Sequence, residues 1–170
     1  MLEIFYPDTR CASSYQIPYE EYYRQGIRGV IFDIDNTLVM HGAPATPEAA
    51  ALFEKLRGIG LNTCLISNNS AERVAPFAEA VGSPFMSKAG KPSRRGYMEA
   101  MRLMGTNAES TLFVGDQLFT DIWGANRCGI RTVLVNPIHP REEIQIVLKR
   151  FLEKPVLAAY ERKKRRTERS

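Results

Sequence analysis

Short apolar runs rich in β-branched residues recur along this chain, each ending in a polar loop that leads into a segment of helical periodicity. The runs are Val30-Ile31-Phe32, Thr63-Cys64-Leu65-Ile66, Thr111-Leu112-Phe113-Val114 and Thr132-Val133-Leu134-Val135, with Pro84-Phe85-Met86 as a shorter one. Continuous apolar runs of this length read as strands covered on both faces. After the first, Thr46-Pro47-Glu48 supplies a helix N-cap, a proline at the first helical position and an acid in the first turn. Ala49, Leu52, Phe53 and Leu56 then make one apolar stripe, and Gly58 or Gly60 stops the helix. Further helices are expected over 71–81, where Pro76 implies a kink or an early boundary, and from Pro92 to Met104. Another carries Trp123, expected in the core, and ends at Gly129; a last one over about 141–153 has a stripe of Ile144, Val147, Leu148, Phe151 and Leu152. Strand and helix in alternation predict an α/β fold, a parallel sheet of about five strands with helices on both faces.

In such sheets the ligand crevice lies beyond the carboxyl ends of the strands. Asp33, Asp35, Ser67 and Asp116 each follow the last apolar residues of a strand, so they should meet at one rim. Lys91 joins them from the loop after the short strand, with Lys88 as its rival three residues earlier. Taken alone, Asp33-Ile34-Asp35-Asn36-Thr37 is equally a turn, because Asp and Asn bond their own backbone well there. The convergence of the other strand ends favours chemistry. Three carboxylates in one cleft raise one another's pKa, and a divalent cation resolves the crowding. An all-oxygen set without His or Cys favours Mg²⁺ over zinc. Hydroxyl, ammonium and Mg²⁺ around a carboxylate form a site for phosphoryl transfer, where charge on three equatorial oxygens must be neutralised.

These residues resemble the four ordered motifs of the haloacid dehalogenase superfamily of phosphohydrolases: Asp33-Ile34-Asp35-Asn36-Thr37, Ser67, Lys91, and Gly115-Asp116-Gln117-Leu118-Phe119-Thr120-Asp121. Within it, the runs FDIDNTLV, ISNN, KP and GDQLFTD are similar to the YqeG-type subgroup of capless subfamily IIIA. The resemblance implies a Rossmann-like fold and a Mg²⁺-dependent phosphatase working through an aspartyl-phosphate. Asp33 would be the nucleophile and a metal ligand. Asp35 would be the general acid and base, worth ~10²–10⁴ in rate, and would lend its backbone carbonyl to the metal. Ser67, Asn68 and Lys91 would bind the phosphoryl group, and Asp116 would complete the metal site. Asp121 and Thr37 would lie in the outer shell, Asp121 orienting the lysine. Lys91 is preferred over Lys88 because it directly precedes Pro92, as in the family. Asp35 argues against a dehalogenase, which lacks this second acid.

Neither gap between motifs has room for a cap domain, so the cleft should be open and suit a large or surface-bound ester. The subgroup is similar to phosphatases of phosphatidylglycerophosphate, which makes a lipid phosphate monoester the expected substrate and that lipid the best single choice. Competing readings are a phosphatase of nucleotides, nucleic-acid ends or another soluble ester, and a non-catalytic binding scaffold.

Residues 1–26 hold five of the seven tyrosines and are expected as a helical extension packed on the domain, with a membrane-interface belt as the alternative. The hydrolase domain is expected over 27–154 and a basic tail over 155–170, interrupted from the last helix by Pro155. The last ten residues hold six of 23 basic and two of 19 acidic residues, leaving 17 of each sign elsewhere, so the net charge of +4 belongs to the tail. Such a run is a solvated terminus, a nucleic-acid contact, or an anionic-membrane contact made together with the amphipathic last helix, whose apolar stripe would otherwise pack on the sheet. No apolar run reaches the roughly 18 residues of a membrane span, and the amino terminus has no basic segment followed by an apolar block. The expectation is a cytoplasmic protein with peripheral contact at the inner face of the membrane. Three cysteines without metal-ligand spacing read as reduced thiols, and His41 and His139 receive no role.

Overall fold

The sheet is built outward from the run Gly29–Phe32, whose four residues are all buried. In a computed structural model describing residues 2–139 and 144–168, the strands are β1 (Thr9–Cys11), β2 (Gly29–Phe32), β3 (Asn62–Ile66), β4 (Phe85–Met86), β5 (Thr111–Gly115) and β6 (Arg131–Val135). They form one sheet in the order β1-β6-β5-β2-β3-β4, and every pairing is parallel. The helices are α1 (Tyr19–Arg24), α2 (Pro47–Ile59), α3 (Ala71–Val81), α4 (Arg94–Met104), α5 (Trp123–Asn126) and α6 (Ile144–Thr167), with a π-helical turn at Leu118–Ile122.

The period of two along each strand sorts the core into two layers. Val30, Phe32, Leu65, Leu112 and Val114 pack on one side with Tyr19 and Tyr22 of α1, Leu52, Phe53 and Leu56 of α2, and Val74, Phe77 and Val81 of α3. Ile31, Cys64, Ile66 and Phe113 face the other way, onto Tyr97, Ala100, Met101 and Met104 of α4 and Ala125 of α5. Between β2 and β3, and between β3 and β4, there is one helix each and no inserted domain.

Four expectations about strands and helix boundaries change. The sheet has a sixth strand, β1, in the segment expected to be purely helical. Its Thr-Arg-Cys sequence carries no apolar signal, because an edge strand covered on few sides needs none. Helix α3 runs unbroken through the exposed Pro76. Pro92 follows Lys91 through a cis peptide, and α4 begins only at Arg94 with Ser93 as N-cap. Helix α6 continues through Pro155 into the basic segment. A proline inside a helix costs roughly 3 kcal/mol, but Pro155 is exposed while buried Glu153, Val156 and Tyr160 flank it and hold the helix together.

Of the stripe expected on the last helix, Leu148, Phe151 and Leu152 are 63%, 67% and 55% exposed instead of packing on the sheet. Val156 is the residue that joins Leu118, Ile122 and Leu134 in a small third cluster, against which Phe5, Tyr6 and Leu157 pack. The expected start near Arg141 and the side chains of Ile144 and Val147 lie outside the described residues. Trp123 is half-buried, its ring 5.3 Å from that of Phe5. The three cysteines are free thiols, and no described helix is long and apolar enough to cross a membrane.

Candidate active site

Strand β2 ends where Asp33 N donates to Val114 O of β5 at 3.0 Å, and the chain then turns sharply. Thr37 N and Leu38 N both donate to Ile34 O, at 3.2 and 2.9 Å, and Asn36 takes a left-handed φ of 61°. Asn is among the residues that tolerate this conformation. The segment is thus a tight turn and a bearer of acids at once, so the two readings of its sequence are not alternatives.

Asp33 is 6% exposed and its Oδ1 accepts from Lys91 Nζ at 2.5 Å. The same ammonium donates to Asp121 Oδ1 at 2.7 Å. Lys91 is buried in this cluster, whereas Lys88 is exposed. Asn68 fixes the Lys91 loop from both directions: its Oδ1 accepts from Lys91 N at 2.7 Å and its Nδ2 donates to Lys91 O at 3.2 Å. The Thr37 hydroxyl lies 3.2 Å from Asp33 Oδ2 and 3.1 Å from Asp116 Oδ1 and donates to one at a time. Asp121 Oδ2 accepts from the amides of Asp116 and Gln117 at 3.2 and 3.1 Å. Both oxygens of Asp121 are therefore spoken for.

Among the described residues, Asp33, Asp116 and Asp121 present carboxylate oxygens within 4.8 Å of one another. Burial pushes Asp33 well above the usual carboxylate range, and Asp121 and Asp116 add to this against the pull of Lys91. Asp116 is pushed up to about 7 by burial and by Asp121, partly offset by Arg150 and by Thr37. Burial alone would lower Lys91, but Asp121 and Asp33 outweigh it and hold the ammonium charged. A hard divalent cation fits this donor set, because it needs oxygen ligands and supplies the charge that the crowded acids lack. Asp33 and Asp116 would be the carboxylates to hold it, although each is already paired, with Lys91 and with Arg150 respectively.

Asp35 faces another part of the cleft. Its Oδ1 accepts from Gly42 N and Arg73 Nη2, both at 2.8 Å, and its Oδ2 from Asn69 Nδ2 at 2.7 Å. Burial works to raise its pKa, but the Gly42 amide and the Arg73 guanidinium together leave it below the ordinary value. Ser67, 3% exposed, accepts from Asn69 N at 3.1 Å and lines the cleft with Asp33, Asp35, Asn68 and Lys91. The cleft encloses about 200 Å³, and Gln117, Thr120 and Lys149 of α6 complete its wall.

Sequence reasoning missed Arg73, Asn69, Arg150 and Glu153. Arg73 has a signal, a cation in the first turn of the helix that opens from the serine loop. Arg150 has none, being 34 residues from Asp116, yet its Nη1 donates to Asp116 O at 2.7 Å and its Nη2 pairs with Asp116 Oδ2. Glu153 Oε1 accepts from Leu118 N at 2.8 Å. Gly115 is required by close approach, since a Cβ there would lie 2.7 Å from Asp121 Oδ2.

A parallel sheet with acids, a hydroxyl and a buried ammonium gathered beyond its strand ends defines an α/β protein with a polar site at its rim. Comparison with known proteins narrows the class. Residues 41–129 match the haloacid dehalogenase-like hydrolase family. The chain is 36% identical to the probable phosphatase YqeG of Bacillus subtilis, covering 95% of this chain and 94% of that one. It is 30% identical to phosphatidylglycerophosphate phosphatase 1 of Arabidopsis thaliana, over 86% of this chain but only 45% of that protein. The cobalt-bound deoxy-D-mannose-octulosonate 8-phosphate phosphatase of Haemophilus influenzae has the same fold, with a TM-score of 0.54 at 15% identity over 80% of this chain and 90% of that one. The chain belongs to the haloacid dehalogenase-like hydrolase family.

Proposed function

We propose that the chain hydrolyses phosphate monoesters through an aspartyl-phosphate on Asp33, with Mg²⁺ held by Asp33, Asp116 and the backbone carbonyl of Asp35. The observation that carries this reading is the meeting of Asp33, Asp116 and Lys91 at one buried point beside Ser67. In the first step an Asp33 carboxylate oxygen bonds to phosphorus while the phosphorus–alkoxide bond breaks, and Asp35 gives its proton to the leaving oxygen. In the second, Asp35 takes a proton from water as the water oxygen bonds to phosphorus. The bond to Asp33 then breaks and inorganic phosphate leaves. Lys91 and the Ser67 hydroxyl would stabilise the phosphoryl oxygens, and Mg²⁺ would supply the remaining positive charge. The Gly42 and Arg73 contacts that lower Asp35 favour its proton-accepting form, which the second step needs. Asn68, Thr37 and Asp121 act through the groups they hold.

The substrate we propose is a lipid phosphate monoester, with phosphatidylglycerophosphate the leading choice. A cleft of about 200 Å³ takes a phosphate and a few further atoms, leaving the body of a large ester outside. Helix α6, which brings Lys149 to that cleft, turns Leu148, Phe151 and Leu152 outward and ends in exposed basic residues. An apolar face beside cationic side chains suits an anionic bilayer, each basic residue near the surface adding ~1 kcal/mol. The protein would then work at the cytoplasmic face of the membrane. The similarity to the Arabidopsis phosphatase supports the same choice.

The test is phosphate release from phosphatidylglycerophosphate in mixed micelles, with Mg²⁺, with chelator and with Asp33→Asn. Release that needs metal and Asp33 and far exceeds that from an aryl phosphate is the expected result. Cleavage of the aryl phosphate alone would overturn the lipid substrate and move the search to nucleotides and nucleic-acid ends. No turnover of any ester would overturn the catalytic reading.

A further inference from the structure

We infer that Arg150 competes with the divalent cation for Asp116, so that metal loading and the docking of the front of α6 oppose each other. The inference rests on the metal-dependent reading proposed above, and it assigns a regulatory role to the last helix.

The Arg150 guanidinium grips Asp116 twice, Nη2 on the carboxylate Oδ2 and Nη1 on the main-chain carbonyl. Asp116 is 1% exposed and is the carboxylate that a cation shared with Asp33 would need. Two cations on one buried carboxylate repel, so the tighter the metal is held, the weaker the arginine contact becomes. Charge balance favours the exchange. Asp33, Asp116, Asp121 and Glu153 against Lys91 and Arg150 leave two net negative charges, and a divalent cation in place of the guanidinium would leave one. The two internal cations differ in their freedom to leave. The Lys91 side chain is 4% exposed, whereas that of Arg150 is 20% exposed and has a path to water.

The anchoring of α6 makes this contact mechanically consequential. Its rear is held by apolar packing, with Val156 in the cluster with Leu118, Ile122 and Leu134, and the Tyr160 ring 5.4 Å from that of Tyr6. Its front presents Leu148, Phe151 and Leu152 to solvent, and ties from its described residues to the catalytic rim include the polar contacts of Arg150 with Asp116 and of Glu153 with Leu118 N. Glu153 also lies 3.8 Å from Arg150, so loss of the arginine contact weakens the second tie. Metal entry at Asp116 should therefore loosen the front turns of the helix, which carry the exposed apolar face and Lys149, and leave the rear in place. Conversely, whatever draws the front of α6 away from the rim should raise metal affinity, since such coupling is reciprocal.

The experiment measures Mg²⁺ binding by calorimetry on the full chain, on Arg150→Ala and on Arg150→Lys, together with amide hydrogen exchange across 148–160. A charge-assisted contact of this kind leads us to expect Mg²⁺ affinity about tenfold or more tighter in Arg150→Ala. Arg150→Lys, which keeps the charge and loses the fork, should fall between. In the unaltered protein Mg²⁺ should speed exchange at 148–154 and not at 156–160. In Arg150→Ala the front should already exchange fast and respond little. Equal or weaker Mg²⁺ binding in Arg150→Ala, or exchange at 148–154 that Mg²⁺ slows or leaves unchanged, would overturn the inference while sparing the metal site. Absence of Mg²⁺ binding from all three proteins would overturn the metal reading and this inference together. Should Arg150→Ala fail to fold, the exchange response of the unaltered protein decides alone.

Discussion

Lys91→Met removes the ammonium from the centre of the site and keeps most of the side chain's packing. Lys91 donates to Asp33 at 2.5 Å and to Asp121 at 2.7 Å, and all three side chains are at least nine-tenths buried. Removing one partner of a buried pair costs about 3–5 kcal/mol, because a charge is left in low dielectric without compensation. At roughly 2–4 °C per kcal/mol for a chain of this size, the unfolding temperature should fall by about 6–20 °C. The loss has a ceiling, since the stranded carboxylates can take up a proton. Asp33 is already pushed upward by burial, with Asp121 and Asp116 adding to it, and loses its strongest opposing influence when Lys91 goes. The cost should therefore be largest at about pH 8 and shrink towards about pH 5, where protons neutralise the acids. Adding Asp121→Asn to Lys91→Met should recover part of the stability, as it deletes one of the two stranded charges. Urea unfolding with chelator present, at both pH values, gives every arm. A loss below about 1 kcal/mol at the higher pH, or one unchanged by acidification, would mean that Lys91 does not compensate these carboxylates.

Two further outcomes follow from the same geometry. Asp116 sits at about 7 when folded, against roughly 3.9 in an unfolded chain, so the folded state holds this proton longer. Stability attributable to Asp116 is then fully present below about pH 4 and is lost as pH rises through about 7. Mg²⁺ needs the ionised carboxylate, so the rise in unfolding temperature on adding Mg²⁺ should be larger at about pH 8 than at about pH 6; a rise independent of pH, measured by differential scanning fluorimetry, would contradict it. Gly115→Ala places a Cβ 2.8 Å from Asp121 Cβ and Cγ and should cost about 1–3 kcal/mol as overpacking while displacing Asp121 from Lys91. Gly58→Ala, on exposed α2 surface with nothing within 4 Å of the added atom, should be neutral or stabilising. Thermal unfolding and turnover of the pair check this, and equal behaviour of the two would refute the close-approach argument.

The chain's sequence contains the whole plan of its sheet centre, because strands buried on both faces must be apolar throughout and their ends must be polar. Asp33, Asp35, Ser67, Lys91 and Asp116 were legible for that reason: each stands where a buried strand, or the loop beyond one, reaches the rim. The caps and the stripe of α2 were equally local, set by spacing alone. What the sequence could not reveal was decided over long separations. Strand β1 has no pattern of its own and exists because β6 offers it an edge. Helix α6 has an apolar stripe that spacing left open between the sheet and a bilayer, and it is Glu153, Val156 and Tyr160 that face inward, since the amide of Leu118 and the cluster around Leu134 receive them. That rotation turns Leu148, Phe151 and Leu152 to solvent and carries Arg150 onto Asp116. Periodicity in a sequence shows that a helix has two faces; which face turns inward is fixed by the groups already waiting on the domain, and here those groups are polar as well as apolar.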